Sequence, residues 1–115
     1  IGFVAWGPLD GGLLSGKGVD SLRRRNNEAN YIRFHDRLEQ FSALCRDAGM
    51  KEAEAAQLWL LQNPDVTAPI IGVRTMKHLE SCLHVLELKP DPDFMEKLNE
   101  IFPGPGGEAP EAYGW

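Results

Sequence analysis

What most limits this chain is its supply of strands. Two short apolar runs are strand-like: residues 3–6, closed by Gly7-Pro8, and the β-branched pair Ile70-Ile71 within the stretch 66–73. A long connection with helical patterns separates them, and two further helical patterns follow the second run. Strands alternating with helices indicate parallel βα units, hence an α/β fold. Apolar runs without alternation fit strands buried on both faces, as in a parallel sheet. Pro69 has no N–H to give a sheet interior, so pairing is expected to begin near Ile70. Two strands cannot bury their own faces. The expected completion is a larger sheet or barrel with earlier units before Ile1. The opening Ile1-Gly2-Phe3-Val4-Ala5-Trp6 has no basic region ahead of it and reads as a strand cut into at its start, not as a secretory signal.

The helices follow from periodicity. In the first, expected over 31–48, Phe34, Leu38, Phe41, Cys45 and Ala48 fall on one face, and Gly49 ends it. The second, over 51–62, offers Ala53, Ala56, Leu60 and Leu61 as its packing face, and Asn63-Pro64-Asp65 stops it. Thr75 can cap a third, running to about Leu86, with Leu79, Cys82, Leu83 and Leu86 inward. Asp91-Pro92 opens the last, Asp as N-cap and Pro at the first position, with Phe94, Leu98 and Ile101 packing and Pro103 closing it. The polar stretch 21–30, with Arg23, Arg24 and Arg25 in a row, reads as a surface segment. Residues 1–103 form one structural unit, and 104–115 a Gly/Pro-rich tail ending in Tyr113-Gly114-Trp115.

Composition removes several function classes. At 115 residues the chain is one domain at most. A net charge of −5 does not suggest a general nucleic-acid binder. No apolar run approaches the roughly 20 residues a membrane-spanning helix needs. Cys45 and Cys82 are too few for a disulfide framework or a zinc motif and read as buried thiols, which points to a reducing, cytoplasmic setting. His35, His78 and His84 all fall in helical segments and read as surface or capping residues.

Two stretches carry chemistry. Gly7-Pro8-Leu9-Asp10-Gly11-Gly12-Leu13-Leu14-Ser15-Gly16-Lys17 follows a strand, where α/β barrels place their ligands. Small residues let backbone amides approach a pyrophosphate, Ser15 adds a hydroxyl and Lys17 a charge. It is not a P-loop, because Gly18 follows Lys17. Gly72-Val73-Arg74-Thr75 lies at a strand end and opens a helix, where free amides and the helix dipole favour an anion and Arg74 adds a fork suited to phosphate. Each stretch alone also reads as an ordinary turn.

Together they resemble the aldo-keto reductases, over nearly the whole chain. Trp6-Gly7-Pro8-Leu9 resembles that family's aromatic-Ser-Pro-Leu at the end of the seventh barrel strand, and residues 11–17 its Gly-Leu-Leu-Thr/Ser-Gly-Lys continuation. Residues 56–64 look like the helix before the eighth strand, and residues 70–75 like that strand and the adenosine-site turn. Trp6 and the arginine-bearing loop look most like the branch of bacterial reductases and potassium-channel β-subunits. The resemblance implies the last two βα units of a (β/α)8 TIM barrel, and a parent oxidoreductase that reduces small aldehydes or ketones with NADPH. It implies that Trp6 stacks on the nicotinamide, that Gly7 is among the cofactor-binding residues, and that Pro8, Leu9, Gly11, Gly12, Ser15 and Lys17 surround the pyrophosphate. Arg25, or Arg23 or Arg24 beside it, would fold over the cofactor. Gly72, Arg74 and Thr75 would hold the adenosine end, with Arg74 on the 2′-phosphate and His78 and Cys82 near the adenine.

The chain departs from the family pattern at Gly7, usually Ser, and at His78 and Cys82, usually Gln and Asn; a thiol replaces an amide poorly. The family's Asp-Tyr-Lys-His tetrad lies on earlier strands, so no catalytic residue is assigned. The chain alone is then expected to lack the chemistry and to associate through its apolar strand faces. The alternatives are an NADPH-sensing regulatory subunit of the same fold and a structural domain without ligand.

Overall fold

The computed structural model describes residues 1–16 and 28–104. Lys17, Arg23, Arg24, Arg25 and the tail beyond Gly104 lie outside the described residues.

Strand β1 (Val4–Trp6) leads into a 3-10 segment (Asp10–Ser15). Helices α1 (Glu28–Arg33), α2 (His35–Asp47) and α3 (Glu52–Gln62) come next, then strand β2 (Ala68–Ile70), α4 (Met76–His84), a 3-10 turn (Val85–Glu87) and α5 (Pro92–Ile101). β1 and β2 pair in parallel, Val4 opposite Ala68, Ala5 opposite Pro69 and Trp6 opposite Ile70. Pairing therefore starts before Ile70 and takes in Pro69. Proline is admitted at a sheet edge, and in a two-stranded sheet each strand is an edge.

The core lies among the helices. Phe41 and Cys45 of α2, Ala55 and Ala56 of α3, and Phe94 and Leu98 of α5 form one buried cluster, with Leu9, Leu14 and Phe102 packed against it. Phe41 and Phe102 meet edge to face at 5.9 Å. Two local signals fix this layer. Gly49 (φ 65) ends α2 in a Schellman turn: its N–H donates to the Arg46 carbonyl and that of Met50 to the Cys45 carbonyl. Asp91 caps α5, accepting from the Asp93 N–H at 3.1 Å, with Pro92 at the first position.

Several expectations are corrected. The first helix starts at Glu28, inside the stretch read as a surface segment, and is broken at Phe34 (φ −106, ψ 12). Leu38, Phe41 and Cys45 are buried as expected, but Ala48 is exposed at the helix end. In α3 the buried residues run from Glu54 to Leu58, and Leu61 is exposed. The helix has neighbours on several sides: the 3-10 segment, α2, β2, α4 and the Val85–Glu87 turn. In α4 no residue is fully buried, and Leu83 and Leu86 point outward. Val85, which opens the 3-10 turn, is the buried residue there, and that turn meets α3. The strands are not buried on both faces: Phe3, Val4, Trp6, Ile70 and Ile71 are exposed, because two strands and one helical layer leave the rest of the sheet open.

Candidate functional site

Because the strands are parallel and Trp6 stands opposite Ile70, both chains leave the sheet at the same end. The glycine-rich loop departs from β1 there, and the Gly72–Thr75 turn departs from β2 beside it.

The loop folds on itself. The Asp10 N–H donates to the Gly7 carbonyl and the Gly12 and Leu14 N–H groups to the Leu9 carbonyl. Gly7, Gly11, Gly12 and Gly16 all have positive φ, a conformation side chains rarely tolerate, so the glycines are what let the loop turn this tightly. Leu13 is buried, anchoring the loop, with Pro8 and Leu9 half-buried. Ser15 donates its hydroxyl to the Gly12 carbonyl at 2.7 Å and so braces the loop. Trp6 is 78% exposed among the described residues.

On the other side, Thr75 caps α4, its hydroxyl oxygen accepting from the His78 N–H at 3.2 Å. Gly72, Arg74 and His78 are exposed, and Cys82 is half-buried rather than buried. No heavy atom lies within 4 Å of where a Cβ would stand on Gly7 or Gly72. The backbone at both positions therefore faces open space.

Below Trp6 lies an apolar recess of about 350 Å³, lined by Trp6, Pro8, Phe41, Trp59, Leu98 and Phe102 among others. None of Phe41, Trp59, Leu98 and Phe102 is a site candidate from sequence; periodicity marks Phe41 and Leu98 as packing residues, assigns no face to Trp59 or Phe102, and does not show that the four share a cavity. Arg74, Thr75 and His78 are not part of its lining.

Glu54 was also missed. Its side chain is 6% exposed and accepts from Lys51 Nζ at 3.2 Å, His84 Nδ1 at 3.3 Å and Ser81 Oγ at 3.5 Å. His84 is thus not simply a surface or capping residue. Burial pushes the Glu54 carboxyl up, but the hydrogen bonds from the Lys51 side chain and backbone, its charge and the His84 contact outweigh it and hold the group below the usual value. Burial, then the Glu52 charge, push the Cys45 thiol up to about 12. Among the described residues no group of three His, Cys, Asp or Glu is placed to hold a metal, and no helix is long and apolar enough to cross a membrane.

The Aldo/keto reductase family model matches residues 1–102. An uncharacterized oxidoreductase, YrpG, of Bacillus subtilis (strain 168) is 49% identical, the match covering 100% of this chain and 36% of that protein. A putative voltage-gated potassium channel subunit beta of Schizosaccharomyces pombe is 24% identical, over 87% of this chain and 33% of its own length. The chain thus spans about a third of the length of the curated relatives it matches.

Proposed function

From the premise that the chain belongs to the aldo/keto reductase family, we propose that it carries the pyrophosphate and adenosine side of a nicotinamide-dinucleotide site, favouring NADPH, in a TIM-barrel oxidoreductase of aldehydes and ketones. On this reading β1 and β2 are the last two barrel strands, and 104–115 is a tail beyond the structural unit. One observation carries the proposal: parallel pairing brings the glycine loop and the Arg74 turn to one end of the sheet. In open and closed parallel α/β folds ligands bind at the carboxyl ends of strands.

The residues present fit the cofactor. The open backbone at Gly7 and Gly72 leaves room for close approach, and α4 offers an exposed N-terminus with Arg74 beside it. Trp6 would offer a flat face to the nicotinamide, Pro8, Leu9, Gly11 and Gly12 would shape the pyrophosphate channel, and Arg74 would pair with the 2′-phosphate. Lys17 and Arg25 keep the same proposed roles at the pyrophosphate and over the cofactor. Ser15 would act through the loop it braces, and Thr75 through the helix start it caps. His78 and Cys82 would flank the adenine with fewer hydrogen bonds than an amide pair. When bound, the cofactor supplies the hydride; the chain's part is to hold and orient it.

The test is Arg74→Ala, in the protein expressed from its full reading frame. NADPH should bind more weakly by about 1.5–3 kcal/mol and NADH almost unchanged, since a charge-assisted pair to the 2′-phosphate is lost only with NADPH. Fluorescence titration of both cofactors reads this. Equal loss for the two would place Arg74 away from the phosphate. The likeness to a potassium channel subunit beta supports a second reading, a regulatory subunit that binds the same cofactor. Turnover of an aldehyde panel with NADPH separates the two.

A further inference from the structure

The first turn of α3 touches both halves of the proposed site. A Cβ placed on Gly16, at the end of the glycine loop, would stand 3.3 Å from Glu52 Cδ. Two residues on, the buried Glu54 accepts from Ser81 and His84 of α4 and from the Lys51 side chain, and its second oxygen accepts from the Lys51 N–H at 3.4 Å. α4 has no fully buried residue of its own; Leu79 and Cys82 are only half-buried. With so little apolar burial, side-chain hydrogen bonds carry more of the burden of locating it. Ser81 precedes Cys82 and lies three residues after His78, a spacing that makes the two neighbours on the helix surface. Fixing Ser81 therefore fixes the stripe that holds His78 and Cys82.

We propose that Glu54 is a positioning residue for the dinucleotide site: by holding Ser81 and His84 it sets where α4 presents its N-terminal turn and its His78–Cys82 stripe relative to the glycine loop. The proposal rests on the reading that α4 receives the adenosine end. A carboxylate suits the task because one oxygen accepts from several donors at once, whereas an amide in its place turns one acceptor into a donor facing Lys51 or His84.

Glu54→Gln keeps the shape and removes the charge; Ser81→Ala removes the far partner and Ser81→Thr keeps the hydroxyl. Three ligands are titrated against the protein from its full reading frame: NADPH, 2′-phospho-ADP-ribose and reduced nicotinamide mononucleotide. Glu54→Gln should weaken the first two about tenfold, the scale of one charge-assisted hydrogen bond. Ser81→Ala should weaken them roughly threefold, less than a full charge-assisted bond because this contact is long at 3.5 Å, and Ser81→Thr should restore them. The mononucleotide, which lacks the adenosine half, should bind as before. A purely structural Glu54 predicts equal loss for all three ligands, and that result overturns the proposal. So does unchanged binding in Glu54→Gln while Arg74→Ala still weakens NADPH. If Arg74→Ala has no effect on either adenosine ligand, the reading of α4 itself falls. Should Glu54→Gln fail to fold, Ser81→Ala against Ser81→Thr decides by the same criteria.

Discussion

Phe41 and Trp6 are large aromatic residues that line the same apolar recess, yet Phe41 is 1% exposed and Trp6 is 78% exposed. Phe41 is buried in the helical cluster: α2 carries it, and α3 and α5 supply the cluster's other members. Trp6 ends a strand that, among the described residues, has a neighbour along one edge only. The difference does not lie in residue type. It lies in whether the chain itself supplies the covering layer. Where it does, an aromatic residue stabilises the fold; where it does not, the ring remains available to something else, and a dinucleotide is the occupant proposed above.

The largest effect should come from Phe41→Ala. Deleting a fully buried phenylalanine side chain removes its transfer free energy and leaves a cavity, together about 3–5 kcal/mol. Urea unfolding of the protein from its full reading frame measures it. A loss below about 1 kcal/mol would mean the helical layer is not the core it is described as. The next effect is of binding rather than stability. Trp6→Ala should weaken NADPH by roughly 1–3 kcal/mol, taking base-on-aromatic stacking as the analogue, while Trp6→Tyr keeps a flat ring and keeps binding. If Trp6→Ala instead collapses stability and leaves the affinity of the folded fraction unchanged, the contrast with Phe41 disappears and Trp6 belongs to a core.

What the sequence disclosed follows the same division. Features with a local cause were legible: Gly49 at the end of α2, Thr75 and Asp91-Pro92 opening α4 and α5, and the parallel pairing implied by strands alternating with helices. The two loops of the candidate site were legible because their glycines and strand-end positions are local as well. Features decided by distant parts of the chain were not. Glu54 looks like a helix-surface carboxylate, and nothing nearby in sequence announces Ser81 or His84 as its partners. Leu83 and Leu86 fit an inward face by period, but both are exposed among the described residues, and Val85 between them is the residue that is buried. Ile70 carries the β-branched pattern of a buried strand, and whether it is covered depends on neighbours that periodicity does not count.

The two cysteines give a subtler version of the contrast, without disturbing the fold. Cys45 is buried in the helical cluster with its thiol pushed up to about 12, first by burial and then by the Glu52 charge, so the reactive thiolate is scarce there. Cys82 is half-buried on α4 at the proposed adenine end. Iodoacetamide at pH 8, followed by peptide mapping, should modify Cys82 and spare Cys45 until urea is added, and NADPH should slow the modification of Cys82. Equal labelling of the two thiols in the native protein would erase the distinction between the packed and open regions. Labelling of Cys82 indifferent to NADPH would remove Cys82 from the site.

The smallest effect is expected at acid pH, and it tests the contact that joins the two regions. Burial raises the Glu54 carboxyl, but the Lys51 side chain, backbone N–H and charge, with the His84 contact, bring it below its ordinary value. A group whose folded value is lowered adds stability above its unfolded value and loses that contribution as pH falls through the folded one. The unfolded chain takes up the proton first, so the loss begins near the ordinary glutamate range, about 4.3, and is complete only below the folded value. The effect is modest because Lys51 and His84 are largely exposed and water screens their charges. Urea midpoints from pH 7 to pH 3 should therefore fall more steeply for the wild type than for Glu54→Gln, which cannot take up the proton, and the gap between them should narrow towards the acid end. Parallel curves would mean that Glu54 gains nothing from its donors in the folded state. The bridge from the glycine loop through α3 to α4 would then lose its electrostatic basis, although the packing of Gly16 against Glu52 would stand.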